Sequence, residues 1–114
     1  MLNKGLKRFC FALDLKEDEE AINEYKSHHQ EVPQAILDSI REAGIRLMDI
    51  YLIGNRLFMI MEVDEIFSFD QKAHLDAENP EVQKWEKLMG EFQKELPWAK
   101  PGEKWVLMER IFSL

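Results

Sequence analysis

Tyr25 and His29 stand four residues apart in the stretch Asn23-Glu24-Tyr25-Lys26-Ser27-His28-His29-Gln30-Glu31-Val32. On a helix, Ile22, Tyr25, His29 and Val32 share one face, at i, i+3, i+7 and i+10. That face is the apolar one. It therefore carries a phenol and an imidazole one turn apart, where a core helix ordinarily carries Leu or Ile. Imidazole gives and takes protons near neutral pH, and a buried face would shield it from bulk water. Two readings fit this spacing. In one, Tyr25 and His29 are core residues whose polar atoms are satisfied by neighbours. In the other, they form a proton-transfer site beneath a small-molecule pocket.

The remaining candidates rank below this pair. His28 lies 100° round the same helix and reads as solvated, and His74 has no evident partner. Three histidines without a zinc-type spacing predict neither a metal nor another cofactor. The single cysteine, Cys10, falls inside a strand pattern and reads as a packing thiol. Indoles stack against the C–H faces of sugars, which draws attention to Trp85, Trp98 and Trp105. Trp85 heads a helical core stripe and Trp105 alternates inward on a strand, so packing explains both. Trp98, in a proline-framed loop, is the least explained by packing. Tyr51 on a strand needs a hydrogen-bond partner if buried, and Met48, Met59, Met61 and Met89 read as adaptable core filling. No glycine-rich phosphate loop and no G-x-S-x-G occurs, which excludes nucleotide-loop and serine-hydrolase chemistry.

The elements that must position these residues follow from pattern and punctuation. Arg8 to Leu15 alternates Phe9, Phe11, Leu13 and Leu15 against smaller or polar residues and predicts a strand. The acidic run Lys16–Glu20 suits the positive end of a helix that continues from about Ala21 to His29. A second helix is expected over Pro33–Ala43, stopped by Gly44. Strands over Ile45–Ile53 and Arg56–Val63 are joined at Gly54-Asn55, where both residues tolerate positive φ. Ser68 with Gln71 forms a capping box for a short helix, and Asn79-Pro80-Glu81 opens another. In that last helix Val82, Trp85, Met89, Phe92 and Leu96 recur at 3, 4, 3, 4, which predicts about four amphipathic turns. Lys104 to Phe112 reads as a final strand.

Strand, two helices, two strands, two helices and strand make an α+β, ferredoxin-like sandwich: one domain over 1–114, with helices on one face of a four-stranded antiparallel sheet. Both faces of the strands are nevertheless apolar. Met48, Ile50 and Leu52 oppose Leu47, Tyr51 and Ile53, and Phe58 and Ile60 oppose Leu57, Met59 and Met61. The uncovered face predicts a homodimer, with a ligand cavity as a possible occupant of part of the same space.

Bulk properties narrow the partners. The 114 residues are 46% hydrophobic and 32% charged, which is ordinary for one globular domain. A net charge of −7 argues against nucleic acid and anionic membrane surfaces and leaves small molecules or proteins. With no signal-like start and no long apolar run, a cytoplasmic location is expected.

Taken together, Glu24-Tyr25 followed by His29, Ala43-Gly44, Asp49-Ile50-Tyr51, Asn55-Arg56-Leu57-Phe58-Met59 and Val82-Gln83-Lys84-Trp85 resemble the L-rhamnose mutarotases, over nearly the whole chain. The resemblance implies a dimeric α+β barrel fold and a cofactor-free isomerase that interconverts the α and β pyranose anomers of a 6-deoxy-L-hexose. It implies His29 as proton donor and Tyr25 and Trp85 as sugar-binding residues; on this reading Tyr25 or Tyr51 orients the sugar or relays the second proton, and Met48 and Glu86 are counted in the sugar site. Met48 stands where those enzymes carry a second sugar-binding tyrosine, with Tyr51 nearby, and Glu86 replaces the second of two paired tryptophans. Their Trp-Pro after the histidine reads Pro33-Gln34 here. The segment Leu96–Trp105 is more similar to a branch associated with L-fucose. On helix geometry Glu86 borders the Trp85 stripe, and a surface position is expected for it. Two rivals share the fold: a non-catalytic dimer that binds a small ligand, and a monooxygenase of the dimeric α+β barrel type.

Overall fold

The computed structural model describes residues 5–114. Strand β1 (Lys7–Leu15) is followed by helices α1 (Glu19–His28) and α2 (Gln34–Glu42). The hairpin β2 (Ile45–Ile53) and β3 (Arg56–Val63) comes next, then α3 (Phe69–Glu78) and α4 (Pro80–Gly90). Two short strands, β4 (Gln93–Lys94) and β5 (Val106–Leu107), close the chain. The sheet runs β2-β3-β1-β4, with β5 also pairing β1, and every pairing is antiparallel. This is the ferredoxin-like order, with its last strand in two pieces. Five strands thus replace the expected four. Beyond Leu107 one more bond forms, from Met108 N to the Cys10 carbonyl at 2.8 Å, and the expected strand to Phe112 stops there.

Local chemistry sets the boundaries. Asp18 caps α1 by accepting from Glu20 N, Ser68 caps α3 by accepting from Gln71 N, and Asn79 caps α4 by accepting from Glu81 N and Val82 N. Pro80 sits at the first turn of α4, where no amide donor is needed. The α4 helix ends at Gly90, short of the Leu96 that its periodicity predicted. Phe92 and Leu96 are still buried, but from the turn that precedes β4 and from the segment that follows it. At the hairpin Gly54 alone takes positive φ (+59°), so one glycine suffices for the turn and Asn55 does not share that conformation. Asn55 instead ties the turn to β1: its side chain donates to the Leu15 carbonyl at 2.8 Å, and its own carbonyl accepts from Leu15 N at 2.7 Å.

Register assigns the two faces. Leu13 faces Leu57 and Phe11 faces Met59 across β1–β3, while Ile50 faces Met59 and Met48 faces Met61 across β2–β3. These residues point to the helices. One core gathers Leu15, Tyr25, Leu57, Met89 and Phe92; a second gathers Ala43, Ile45, Met61 and Val63. The outer face is more polar than its sequence suggested. Arg56 grips the buried Asp14 with two bonds, at 2.7 and 3.1 Å, and Arg8 grips the buried Glu62 at 2.6 and 3.0 Å. Buried carboxylates need such charge-assisted partners. Between and beside these pairs Leu47, Tyr51 and Ile53 remain exposed. Among the described residues no helix is long and apolar enough to cross a membrane.

Candidate active site

Tyr25 lies on the buried side of α1, only 4% exposed, and belongs to the first core. Its hydroxyl oxygen accepts from Gln93 Nε2 at 3.3 Å, which leaves its own hydrogen free to be donated. Burial pushes the phenol above its ordinary value of 10, with the Gln93 bond opposing, so Tyr25 is a proton-bearing group at neutral pH.

His29 is the C-cap of α1, where the helical ladder has run out. Its Nδ1 lies 2.8 Å from the Tyr25 carbonyl oxygen. A carbonyl only accepts, so Nδ1 carries the hydrogen and Nε2 is the nitrogen left for a ligand. The ring packs against Tyr25 with centroids 4.6 Å apart and meets the edge or face of Trp85 at 5.5 Å. Orientation is therefore fixed on three sides: by the helix end, by a phenol and by an indole.

These groups line one cavity of about 1220 Å³ between the helices and the inner face of the sheet. Its floor is apolar, from Met48, Ile50, Leu57 and Met59, and its polar groups converge from α1, α3 and α4. A concave, mainly apolar space with a few placed polar groups is the usual form of a small-molecule site. Tyr25, His29, Met48, Trp85 and Glu86 all contribute to this one lining. Glu86, expected at the surface, borders the cavity while more than a third of it stays exposed. The reason is its spacing: it is i+4 from Val82 and i−3 from Met89, both buried on α4. Tyr51 borders the cavity along the edge strand, yet strand alternation sets its ring opposite Phe58, on the outer face, 57% exposed.

The other candidates fall elsewhere. His28, expected to be solvated, is half-buried against Phe92 with ring centroids 5.7 Å apart. It lines a smaller hollow of about 300 Å³ on the flank of Trp85 that holds neither Tyr25 nor His29. His74 is exposed, with Nε2 3.4 Å from Glu78. Trp98 is exposed, its ring 5.4 Å from the Arg56 guanidinium. Trp105 does line the large cavity and packs on the first core. Sequence reasoning missed Gln93, Lys72 and Asp76. Gln93 had no signal because it was counted into the overextended α4, and the latter two lay on a helix whose apolar face was weakly marked.

The fold and the site define an α+β sandwich of the dimeric α+β barrel type, with an imidazole held over an apolar, aromatic-walled cavity. A family model described as L-rhamnose mutarotase matches residues 8–114, and the chain belongs to that family. It is 42% identical over 112 residues to an L-fucose mutarotase of Xanthomonas campestris pv. campestris, covering 96% of this chain and 90% of that one. It is 33% identical to a UPF0734 protein of Dictyostelium discoideum, covering 95% and 90%. In fold it is similar to the crystal structure of an L-rhamnose mutarotase from Formosa agariphila (TM-score 0.70, 21% identity, 95% of this chain and 98% of that one). The fold is also shared with tetracenomycin F2 cyclase of Streptomyces glaucescens, at TM-score 0.58 and 17% identity over 95% and 96% of the two chains.

Proposed function

We propose that this protein interconverts the α and β pyranose anomers of a 6-deoxy-L-hexose, L-rhamnose or L-fucose, through the open-chain aldehyde. Membership of the family makes it an isomerase, an aldose mutarotase. The observation that carries the finer reading is the placement of His29: Nδ1–H is committed to the Tyr25 carbonyl and Nε2 is left for the cavity. Ring opening requires a proton on the ring oxygen and loss of one from the anomeric hydroxyl. With Nδ1–H engaged, His29 donates from Nε2 as imidazolium and accepts there when neutral. Tyr25, whose hydroxyl hydrogen is free, holds a sugar oxygen. The indole of Trp85 and the side chains of Met48 and Met59 suit the C–H face and the C6 methyl group. The reaction already runs slowly in water, so acid–base assistance of about 10²–10⁴-fold with orientation is enough.

Two copies form the working unit in this reading. Leu47, Tyr51 and Ile53 on the edge strand, with Ile111, Phe112 and Leu114 in the tail, leave an apolar surface that a second chain would cover. Anomer exchange measured by NMR with purified protein tests the activity. A ligand-binding module would bind sugar without accelerating exchange, and a monooxygenase would consume oxygen instead.

A further inference from the structure

Ring opening moves two protons, and His29 accounts for one. Resting on the mutarotase reading, the structure also bears on where the other goes. A base is needed in the same cavity. Tyr25 is poorly suited, because its oxygen already accepts from Gln93 and its hydrogen stays on. Three carboxylates border the cavity: Asp49, Asp76 and Glu86. Asp49 pairs with Ile60 across β2–β3 and so shares the outer face with Tyr51. Asp76 is engaged by Lys72, with Nζ 2.5 Å from Oδ2, and both side chains are largely sheltered. Glu86 enters no ion pair among the described residues, and it follows Trp85, whose ring touches that of His29.

We propose that Glu86 is the second proton-transfer group, the base that takes the hydrogen of the anomeric hydroxyl. The His29 imidazolium gives its Nε2 proton to the ring oxygen, and the bond from that oxygen to C1 breaks with its electron pair going to the oxygen. The electrons of the anomeric O–H bond form the C1 carbonyl, and its proton passes to Glu86. The products are the open-chain aldehyde, neutral His29 and protonated Glu86. After rotation about C1–C2 the freed hydroxyl attacks the other face of C1. Its proton returns to His29, and Glu86 gives its proton back to the anomeric oxygen. Atoms and charge balance over the cycle, with no outside reactant.

The surroundings of Glu86 fit the task. Partial burial holds its carboxyl above the usual range, the Asp76 carboxylate adds to this, and Lys72 opposes it. A base drawn toward neutrality is better matched to a weakly acidic hydroxyl. The remaining charged or titratable groups of the lining are Lys26 on α1 and His29 at its C-cap, Arg41 on α2, Arg46 and Asp49 on β2, and Lys104 before β5. The α3–α4 corner that brings the three residues together is fastened by Gln83 Nε2 donating to the Asp76 carbonyl at 2.8 Å. This is chemistry particular to a chain with Glu86 where an indole would offer only a stacking surface.

The test compares wild type with Glu86→Gln, Glu86→Ala, Asp76→Asn and Lys72→Met, by anomer exchange on whichever 6-deoxysugar the wild type accelerates. Glu86→Gln should lower kcat by about 10²-fold or more, with KM changed little, and should remove the acid limb of the pH profile. Added formate should restore part of the rate to Glu86→Ala and none to Glu86→Gln. Asp76→Asn should move the acid limb to lower pH and Lys72→Met to higher pH. A Glu86→Gln enzyme that keeps kcat and the acid limb, or that changes KM alone, overturns the role of Glu86 and leaves the mutarotase reading intact. A wild type that accelerates neither sugar overturns both. Glu86 is exposed enough that neither variant threatens the fold, which circular dichroism checks.

Discussion

Replacing His29 with Asn separates the chemistry of this side chain from its structural role. Asn presents an amide donor close to where Nδ1 stands, so the 2.8 Å bond to the Tyr25 carbonyl can be kept while the titratable Nε2 disappears. A bond of this kind contributes a net ~0.5–1.5 kcal/mol. For a domain of this size its complete loss would lower Tm by roughly 4–8 °C per kcal/mol. His29→Asn should therefore melt within a few degrees of wild type, and His29→Ala measurably lower. Activity should part company with stability. Loss of acid–base assistance of about 10²–10⁴-fold corresponds to roughly 2.7–5.5 kcal/mol of barrier. The assay is saturation transfer between the anomeric protons at several enzyme concentrations, with the spontaneous rate subtracted. An Asn variant that exchanges anomers within threefold of wild type would refute the reasoning, whatever its Tm.

Further expectations rest on single features. Tyr25 is buried with its phenol raised above 10, so its stabilising contribution is complete below pH 10 and is lost as pH rises through the folded-state value. Urea unfolding from pH 9 to 11 should show this decline, and Tyr25→Phe should flatten it; an unchanged slope would contradict it. Gly44 has φ +94°, and an added Cβ would stand 2.5 Å from Asp64 Oδ1 and 2.9 Å from Ile66 Cγ1. Gly44→Ala should cost about 1–3 kcal/mol by chemical denaturation, and a loss under 0.5 kcal/mol would argue against this geometry. Ile53→Asp, at a site 72% exposed on the outer face, should convert a sedimenting dimer to monomer without unfolding it. A wild type that sediments as a monomer would remove the dimer from the account.

Much of this was legible because the signals were local. Strands β2 and β3 have the limits their alternation and Gly54 gave them, and Ser68 and Asn79 cap the helices they were expected to cap. What failed depended on partners. Phe92 and Leu96 continue the helical period of α4, but burial at 3- and 4-residue spacing is equally met by a chain that turns at Gly90 and returns along β1. The last strand looked nine residues long, yet its ladder to β1 holds only Val106 and Leu107, opposite Ala12 and Phe11, with one further bond from Met108 N to the Cys10 carbonyl, although β1 itself continues to Lys7. For the candidate site, what was legible is that Tyr25, His29, Met48 and Trp85 would share one cavity. Tyr25 and His29 announced themselves by type and spacing. Met48 and Tyr51, three apart on one strand, point to opposite faces, as their alternation indicated. Glu86 is exposed, as the helix wheel suggested, but a wheel shows the stripe and not the hollow beside it, so its place on the cavity rim was not legible.

The most direct measurement is anomer exchange by saturation-difference NMR with L-rhamnose, L-fucose and D-glucose in parallel, for wild type and His29→Asn. The account predicts acceleration of at least one of the two 6-deoxy sugars by wild type, little or none with D-glucose, and near-background rates for the variant. No acceleration with L-rhamnose or L-fucose by a folded wild-type protein would contradict it.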